Sequence, residues 1–254
     1  MVRLNKLTAY LNDYLRIHDF SDPSQNGLQV EGKKEVHKVA FAVDARLRTF
    51  QKAVKAKADL LITHHGLFWG RSQLLRGTHY QRIKTLLDND LALYTAHLPL
   101  DAHMEVGNNA VLARAIGLEQ LEPWAEFKGQ TIGVRGVFPD PPTVDELMER
   151  ANEVLTPFGN PVVRYGRGSK KIKKMGIVTG DAASEVIRAS RNRLDAFLTG
   201  EPDHVMAMEA DERKVHFLCG GHYATETFGV RALSEHIEER FDIETIFIDA
   251  PTFA

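Results

Sequence analysis

Two adjacent histidines, His64 and His65, close an apolar run from Ala58 to Thr63 that is typical of a buried strand. Strands of open α/β sheets place functional side chains at their carboxyl ends. Two imidazoles in that position predict a metal site. The alternative is a chance dipeptide in a polar loop.

The sequence offers two further histidine–carboxylate pairs with matched spacing. His97 precedes Asp101 by four residues, and His222 precedes Glu226 by the same number. Side chains four apart on a helix share one face and can bind one metal centre. For either pair alone, a surface ion pair or a helix cap is the competing interpretation.

Nitrogen and oxygen donors therefore follow several predicted strands. They are His64, His65, His97, Asp101, His222 and Glu226. A single zinc site takes three or four protein ligands, so six donors suit two metal ions about 3.5–4 Å apart, bridged by a carboxylate and a water. The set contains no thiolate and favours zinc, iron, manganese or nickel.

The single cysteine, Cys219, lies in a predicted strand, where we expect a buried inert thiol.

Strands and helices that alternate along the chain must position these donors. Strands are predicted at Val39 to Val43, Leu60 to Thr63 and Leu91 to Tyr94, with helices from Arg46 to Lys57 and Tyr80 to Asp88 between them. This alternation predicts an α/β fold with a mostly parallel sheet.

The second half of the chain repeats the scheme. Strands are predicted at Lys174 to Thr179, Leu194 to Thr199, Val215 to Cys219 and Ile243 to Ile248, and helices at Ala182 to Arg191, Pro202 to Glu209 and Ala224 to Arg240. With a shift of 136 residues Asp59 falls on Asp195, and His65 falls on Glu201. We therefore predict a duplicated α/β unit, although short α/β segments also align by chance.

The predicted domains are residues 1–125 and 126–254, with the last strand packing back on the first domain and a metal site in the cleft between them. The intervening segment contains a predicted strand from Thr131 to Phe138 and a helix from Val144 to Leu155. Thr143 and Glu146 form a capping box for that helix.

Several motifs resemble the YbgI branch of the Nif-three-like family. They are Asn26 to Gly32, Ile62 to Gly70, His97 to His103 with Gly107 to Asn109, Gly221 to Glu226, and Phe247 to Pro251. The resemblance covers nearly the whole chain and is weakest in the middle segment.

This resemblance implies a two-domain protomer that assembles as a toroidal homohexamer, with two divalent transition-metal ions per chain. By the family pattern the metal ligands are His64, His65, Asp101, His222 and Glu226, with Glu226 bridging. His97 is then either a sixth ligand or a group that orients Asp101 or a bound water. The family carries the label of type-two GTP cyclohydrolase I homologues, and we do not extend that activity to this chain.

The bulk composition narrows the range of partners. The net charge is −2 over 254 residues, which argues against nucleic acid as a partner, and no apolar stretch is long enough to span a membrane. A single cysteine and no signal-peptide core favour a cytoplasmic protein.

We expect a metal-dependent hydrolase that acts through a metal-bridging water on an unidentified small molecule, a nucleotide-like compound being one candidate. His97 and Glu201 are the predicted catalytic acid/base groups, although Glu201 could instead orient a ligand. The alternative function is a non-catalytic metal-binding, metal-delivery or regulatory scaffold protein.

Overall fold

Short strands alternate with helices along the whole chain in a computed structural model that describes residues Met1–Phe253. The strands, in order, are β1 Val2–Arg3, β2 Gly27–Val30, β3 Glu35–Val36, β4 Lys38–Asp44, β5 Leu60–His65, β6 Ala92–Thr95, β7 Glu119–Phe127, β8 Gln130–Val137, β9 Val163–Tyr165, β10 Lys174–Ile177, β11 Ala196–Thr199, β12 His216–Cys219 and β13 Glu244–Phe247. The α-helices are α1 Leu4–Tyr14, α2 Leu47–Lys55, α3 Gly77–Asp88, α4 Leu98–Ala102, α5 Asn108–Ala115, α6 Val144–Leu155, α7 Glu185–Arg191, α8 His204–Arg213, α9 His222–Thr225 and α10 Thr227–Phe241. Ile17–Asp19 and Thr156–Phe158 are 3₁₀ turns.

The chain forms two compact units. The first unit contains Met1–Leu100 and Val230–Ala250, and the second contains Asp101–Gly229 together with the residues from Pro251. The boundary predicted after residue 125 falls inside strand β7, so the units divide the chain at other points. Strand β13 belongs to the first unit's sheet, where it pairs with β4, and this pairing returns Val230–Ala250 to the first unit.

The sheet of the first unit has the strand order β13-β4-β5-β6-β2. Its first four strands are parallel, and β2 is antiparallel to β6. Strands β4 and β5 are continuous apolar runs because both faces of the sheet are covered. Ala40 and Leu61 belong to a core cluster with Phe50 of α2, while their strand neighbours Phe41 and Ile62 are buried as well.

The sheet of the second unit has the order β7-β8-β10-β11-β12-β9. Strands β10, β11 and β12 are parallel, whereas β8 and β9 flank them in the antiparallel sense. Leu198 and Leu218 pack into one core cluster, and the alternate residues Phe197 and Phe217 pack into another. Both faces of this sheet are therefore covered as well.

Each unit contains the same pair of hydrogen bonds, at positions that differ by 136 residues. The Asp59 carboxylate accepts the backbone N–H of Lys38 at 3.4 Å, and Asp195 accepts that of Lys174 at 3.0 Å. Each aspartate also accepts the N–H of the residue before that lysine, at 2.9 and 2.8 Å respectively. Asp59 lies just before β5 and ties it to the start of β4. Asp195 lies just before β11 and ties it to the start of β10.

Strand pairing repeats in the same way. In the first unit Gly27 of β2 pairs with Thr95 of β6, and in the second Val163 of β9 pairs with Cys219 of β12. Strands β2, β4, β5 and β6 thus have the same order and direction as β9, β10, β11 and β12. The predicted α/β class and repeated unit are confirmed, but the second sheet is mixed and not mostly parallel, because β8 and β9 are antiparallel to their parallel neighbours and β7 is antiparallel to β8.

The sequence correctly predicted how helix α6 is capped at its N-terminus. The capping box of α6 is present, with the Glu146 N–H donating to Thr143 Oγ1 at 3.2 Å and the Thr143 N–H donating to Glu146 Oε2 at 2.6 Å. The predicted helix from Ala224 to Arg240 differs in detail, because α9 ends before Glu226 and α10 begins after it.

Of the helices between Met1 and Phe253, none has both the length and the apolar character that a membrane crossing requires.

Candidate metal centre

Three histidines meet at the carboxyl edge of the first unit's sheet. His64 and His65 end strand β5, and His97 follows the neighbouring parallel strand β6. One ligand atom from each ring lies within 4.8 Å of the corresponding atoms of the other two. Parallel pairing therefore assembles the strand-end histidines that the sequence predicts.

Hydrogen bonds fix the rings of His64 and His65. His64 Nδ1 lies 3.1 Å from the carbonyl oxygen of Ala96, and His65 Nδ1 lies 2.9 Å from Asp44 Oδ1. A carbonyl or carboxylate oxygen accepts hydrogen bonds, so in the neutral form of each ring Nδ1 carries the proton and Nε2 carries the lone pair. This is the tautomer of metal-binding histidines whose second nitrogen is held by an oxygen.

The third histidine is held by a buried aspartate that the sequence did not single out. Asp22 Oδ1 accepts from His97 Nδ1 at 2.9 Å and from the Ser24 N–H at 2.8 Å, and Oδ2 accepts from Asn26 Nδ2 and the Leu98 N–H, both at 3.0 Å. Burial opposes ionisation of this carboxyl. The hydrogen bonds and the charge of His97 outweigh burial and hold the pKa of Asp22 below its usual value.

Trp69 packs against this histidine cluster. Its ring meets His97 edge to face, with centroids 5.0 Å apart, and lies 6.0 Å from the His65 ring. The indole N–H donates to the Gly66 carbonyl at 2.9 Å, which fixes the ring in this position. The indole thus forms an apolar wall beside the imidazoles.

In the second unit, Asp101 lies within a buried polar network. Its Oδ1 accepts from Asn108 Nδ2 at 2.9 Å and from Thr179 Oγ1 at 3.2 Å. Asn109 donates to the Asp101 carbonyl at 3.1 Å and accepts the Thr179 N–H at 2.7 Å. The carboxylate is 6% exposed and is fixed in orientation by these contacts.

His222 and Glu226 form a close pair at the carboxyl edge of the second sheet. His222 Nε2 lies 3.3 Å from Glu226 Oε1, and His222 Nδ1 lies 2.5 Å from Glu201 Oε1. Burial opposes the charged form of the ring, but Glu226 and Glu201 outweigh it and raise the pKa of His222 to about 10. Without a metal the ring is therefore protonated at neutral pH, because two carboxylates stabilise its charge.

The geometry brings the predicted residues together within each unit. His64, His65 and His97 form one group. In the second unit His222 contacts both Glu201 and Glu226, and Asp101 belongs to that unit as well. Glu201 contacts His222, one of the predicted ligands, through its carboxylate. Cys219 is buried, and burial raises the pKa of its thiol to about 12, so this residue remains a thiol rather than a thiolate.

Apart from Glu201, the sequence analysis did not single out the groups that hold the predicted ligands. Asp22 and Asp44 are the partners of His97 and His65. Thr179 is a partner of Asp101. Only the Asn108–Asn109 dipeptide had a sequence signal, as part of a motif shared with the Nif-three-like family.

The donor set fits a divalent transition metal. Imidazole nitrogens with Nδ1 held by oxygen acceptors, together with carboxylates in hydrogen-bonded positions, are the ligands that zinc, iron, manganese and nickel take in proteins.

The family model of Duf34/NIF3 (NGG1p interacting factor 3) matches residues 2–252. The chain belongs to the Duf34/NIF3 family.

Relatives agree with that assignment over the full length. A Deinococcus radiodurans protein described as "GTP cyclohydrolase 1 type 2 homolog" is 42% identical over 248 residues, which cover 98% of this chain and 93% of that protein. The solved structure of "protein ybgI, unknown function" is 38% identical, with a TM-score of 0.92 and complete coverage of both chains. A structure from Thermus thermophilus is 41% identical, with a TM-score of 0.90 and complete coverage of both.

Proposed function

We propose that this Duf34/NIF3 protein binds two divalent transition-metal ions per chain through His64, His65, Asp101, His222 and Glu226, and that it hydrolyses a small molecule. The observation that carries the proposal is that each of the three imidazoles His64, His65 and His222 has Nδ1 held by an oxygen. Such partners orient metal-binding histidines and raise their basicity.

Bound divalent ions would supply Lewis-acid polarisation of a carbon or phosphorus centre and a water that ionises near neutral pH. The chain would supply proton transfer. When the His97 ring is neutral, its Nδ1 donates to Asp22 and its Nε2 can accept a proton, and the Asp22 carboxylate then stabilises the resulting imidazolium.

A second function is favoured by a specific contact. Glu201, a predicted acid/base residue, is bound at 2.5 Å to His222. A carboxylate in this position supports a ligand rather than moving a proton to a substrate. His97 is then the one remaining predicted acid/base residue, so a protein that holds or delivers metal without turnover is the second function to test.

A screen of carboxylic esters, phosphate esters and nucleotides separates the two functions. The metal-loaded protein, the metal-free protein and the metal-loaded His97→Ala variant are compared at equal concentration. Hydrolysis that requires metal and is lost in His97→Ala with the metal still bound supports the hydrolase. Transfer of metal to an acceptor chelator, with no turnover above that of the metal-free protein, supports delivery.

The cytoplasmic location stays a prediction from the cysteine content and the N-terminal sequence, and the hexameric ring stays a prediction from the family resemblance. The mass of the assembly in solution, measured by light scattering, tests the hexamer.

A further inference from the structure

A glycine touches the ligand pair of the second unit. Gly180 follows Thr179 after strand β10 and has a φ of +70°, a conformation that L-amino acids with side chains rarely adopt. A Cβ atom built there would overlap Glu226 Oε1 and would lie 3.3 Å from His222 Nε2. The space for the carboxylate therefore exists because residue 180 has no side chain.

The duplicated unit shows what stands at the equivalent position. With the shift of 136 residues Gly180 corresponds to Asp44, and Glu201 corresponds to His65. In the first unit the Asp44 carboxylate binds the His65 ring at 2.9 Å. In the second unit residue 201 is itself a carboxylate and binds the His222 ring, and residue 180, the equivalent of Asp44, has no side chain.

The backbone at this position cannot easily move aside. The Gly180 carbonyl accepts from the Gly200 N–H at 2.8 Å, from Thr199 Oγ1 at 3.0 Å and from the Glu201 N–H at 3.1 Å. The Gly180 N–H donates to Thr225 Oγ1 at 3.2 Å. An added methyl group would therefore displace the Glu226 carboxylate before it displaced the loop.

We propose that Gly180 is a positioning residue of the metal centre. Its missing side chain gives the Glu226 carboxylate and His222 Nε2 the room to bind metal. The inference rests on the proposed metal-binding function.

The test compares two glycine-to-alanine variants that carry the same kind of backbone strain. Gly129 in the β7–β8 turn has a φ of +83°, and a Cβ atom there has no heavy atom within 4 Å. Bound metal is measured by elemental analysis, and Zn²⁺ affinity is measured by competition with a chelator. We expect Gly180→Ala to bind Zn²⁺ at least tenfold more weakly than Gly129→Ala, with similar far-UV circular dichroism for both.

A third variant combines Gly180→Ala with Glu226→Asp. The shorter carboxylate removes the overlap, so the double variant should bind Zn²⁺ more tightly than Gly180→Ala alone. This rescue also decides the case in which Gly180→Ala does not fold, because only relief of the overlap would restore a folded, metal-binding protein.

Three results overturn the inference. They are unchanged affinity in Gly180→Ala, equal loss in Gly129→Ala, and absence of rescue by the double variant. Wild-type protein without affinity for Zn²⁺ would instead refute the proposed function, and with it this inference.

Discussion

The carboxylate of Glu201 lies 2.5 Å from Nδ1 of His222, and it stands where the repeated sequence has His65 in the first unit. Duplication therefore placed side chains of different chemistry at equivalent strand ends. In one unit residue 65 is itself a candidate ligand, and in the other residue 201 holds a ligand. This contact gives the first prediction.

Substitution of Glu201 should weaken metal binding in a graded way. Glu201→Ala removes the acceptor of the His222 ring, and loss of such a partner typically costs about 10–100-fold in metal affinity. Glu201→Gln keeps a carbonyl oxygen as acceptor, so it should retain more affinity. Zn²⁺ competition measures both, with the exposed Glu212→Ala as control. Full affinity but no turnover in Glu201→Gln would identify an acid/base role instead.

Asp22→Ala should destabilise the protein and disturb the orientation of His97. The variant loses four hydrogen bonds to a buried carboxylate, including two from backbone N–H groups. We expect a loss of about 3 kcal/mol in the free energy of unfolding, measured by urea denaturation. Asp22→Asn fills the same volume and should lose less. Equal stability of Asp22→Ala and wild type would contradict this account of the Asp22 network.

Asp59 should contribute stability that depends on pH. Burial opposes its ionisation, but Lys33 and the backbone N–H groups of His37 and Lys38 hold the pKa of Asp59 below its usual value. A carboxyl whose pKa is lowered by folding stabilises the protein above the unfolded-state pKa, and the contribution is lost as the pH falls through the folded-state pKa.

The corresponding variant is Asp59→Asn. It should be destabilised most at pH 6–7, by about 1–3 kcal/mol, and the difference from wild type should shrink below about pH 4. Urea denaturation across this pH range measures it, with the exposed Asp13→Asn as control. A difference that stays constant with pH would show that the Asp59 charge contributes nothing.

Ni²⁺ should quench the fluorescence of Trp69. The indole ring is 5.0 Å from the His97 ring, whereas Trp124, the other of the two tryptophans, donates to Asn192 in the second unit. Wild-type emission should fall as Ni²⁺ binds, and Trp69→Phe should lose most of this change. Equal quenching in the two proteins would place the bound ion away from the histidine cluster.

Apolar runs made the sheets predictable. Strands such as β4, β5 and β11 are buried on both faces, and their sequences show it directly. Strand β7 was missed because most of its side chains are exposed and because Pro123 interrupts the sequence pattern that predicts a strand. Helix α1 was missed although Leu4, Leu7 and Leu11 have helical spacing and are buried.

The candidate ligands were predictable because they follow strands, whereas their partners were not. Asp22 lies 75 residues before His97 along the chain, and no local pattern connects the two. Asp44 ends a strand and could have been found by asking which side chain lies beside His65 in a parallel sheet. The role of Gly180 can be inferred only from the structure, in which a Cβ atom at this position would overlap the Glu226 carboxylate.

We propose that His64, His65, Asp101, His222 and Glu226 hold two metal ions per chain. Elemental analysis of protein purified without added metal tests it directly, with His64→Ala, Glu226→Ala and, as control, the exposed His18→Ala. We predict about two transition-metal ions per chain in wild type and His18→Ala, and a clear loss in the other two variants. One ion or none in wild type, unaffected by His64→Ala and Glu226→Ala, would contradict the claim.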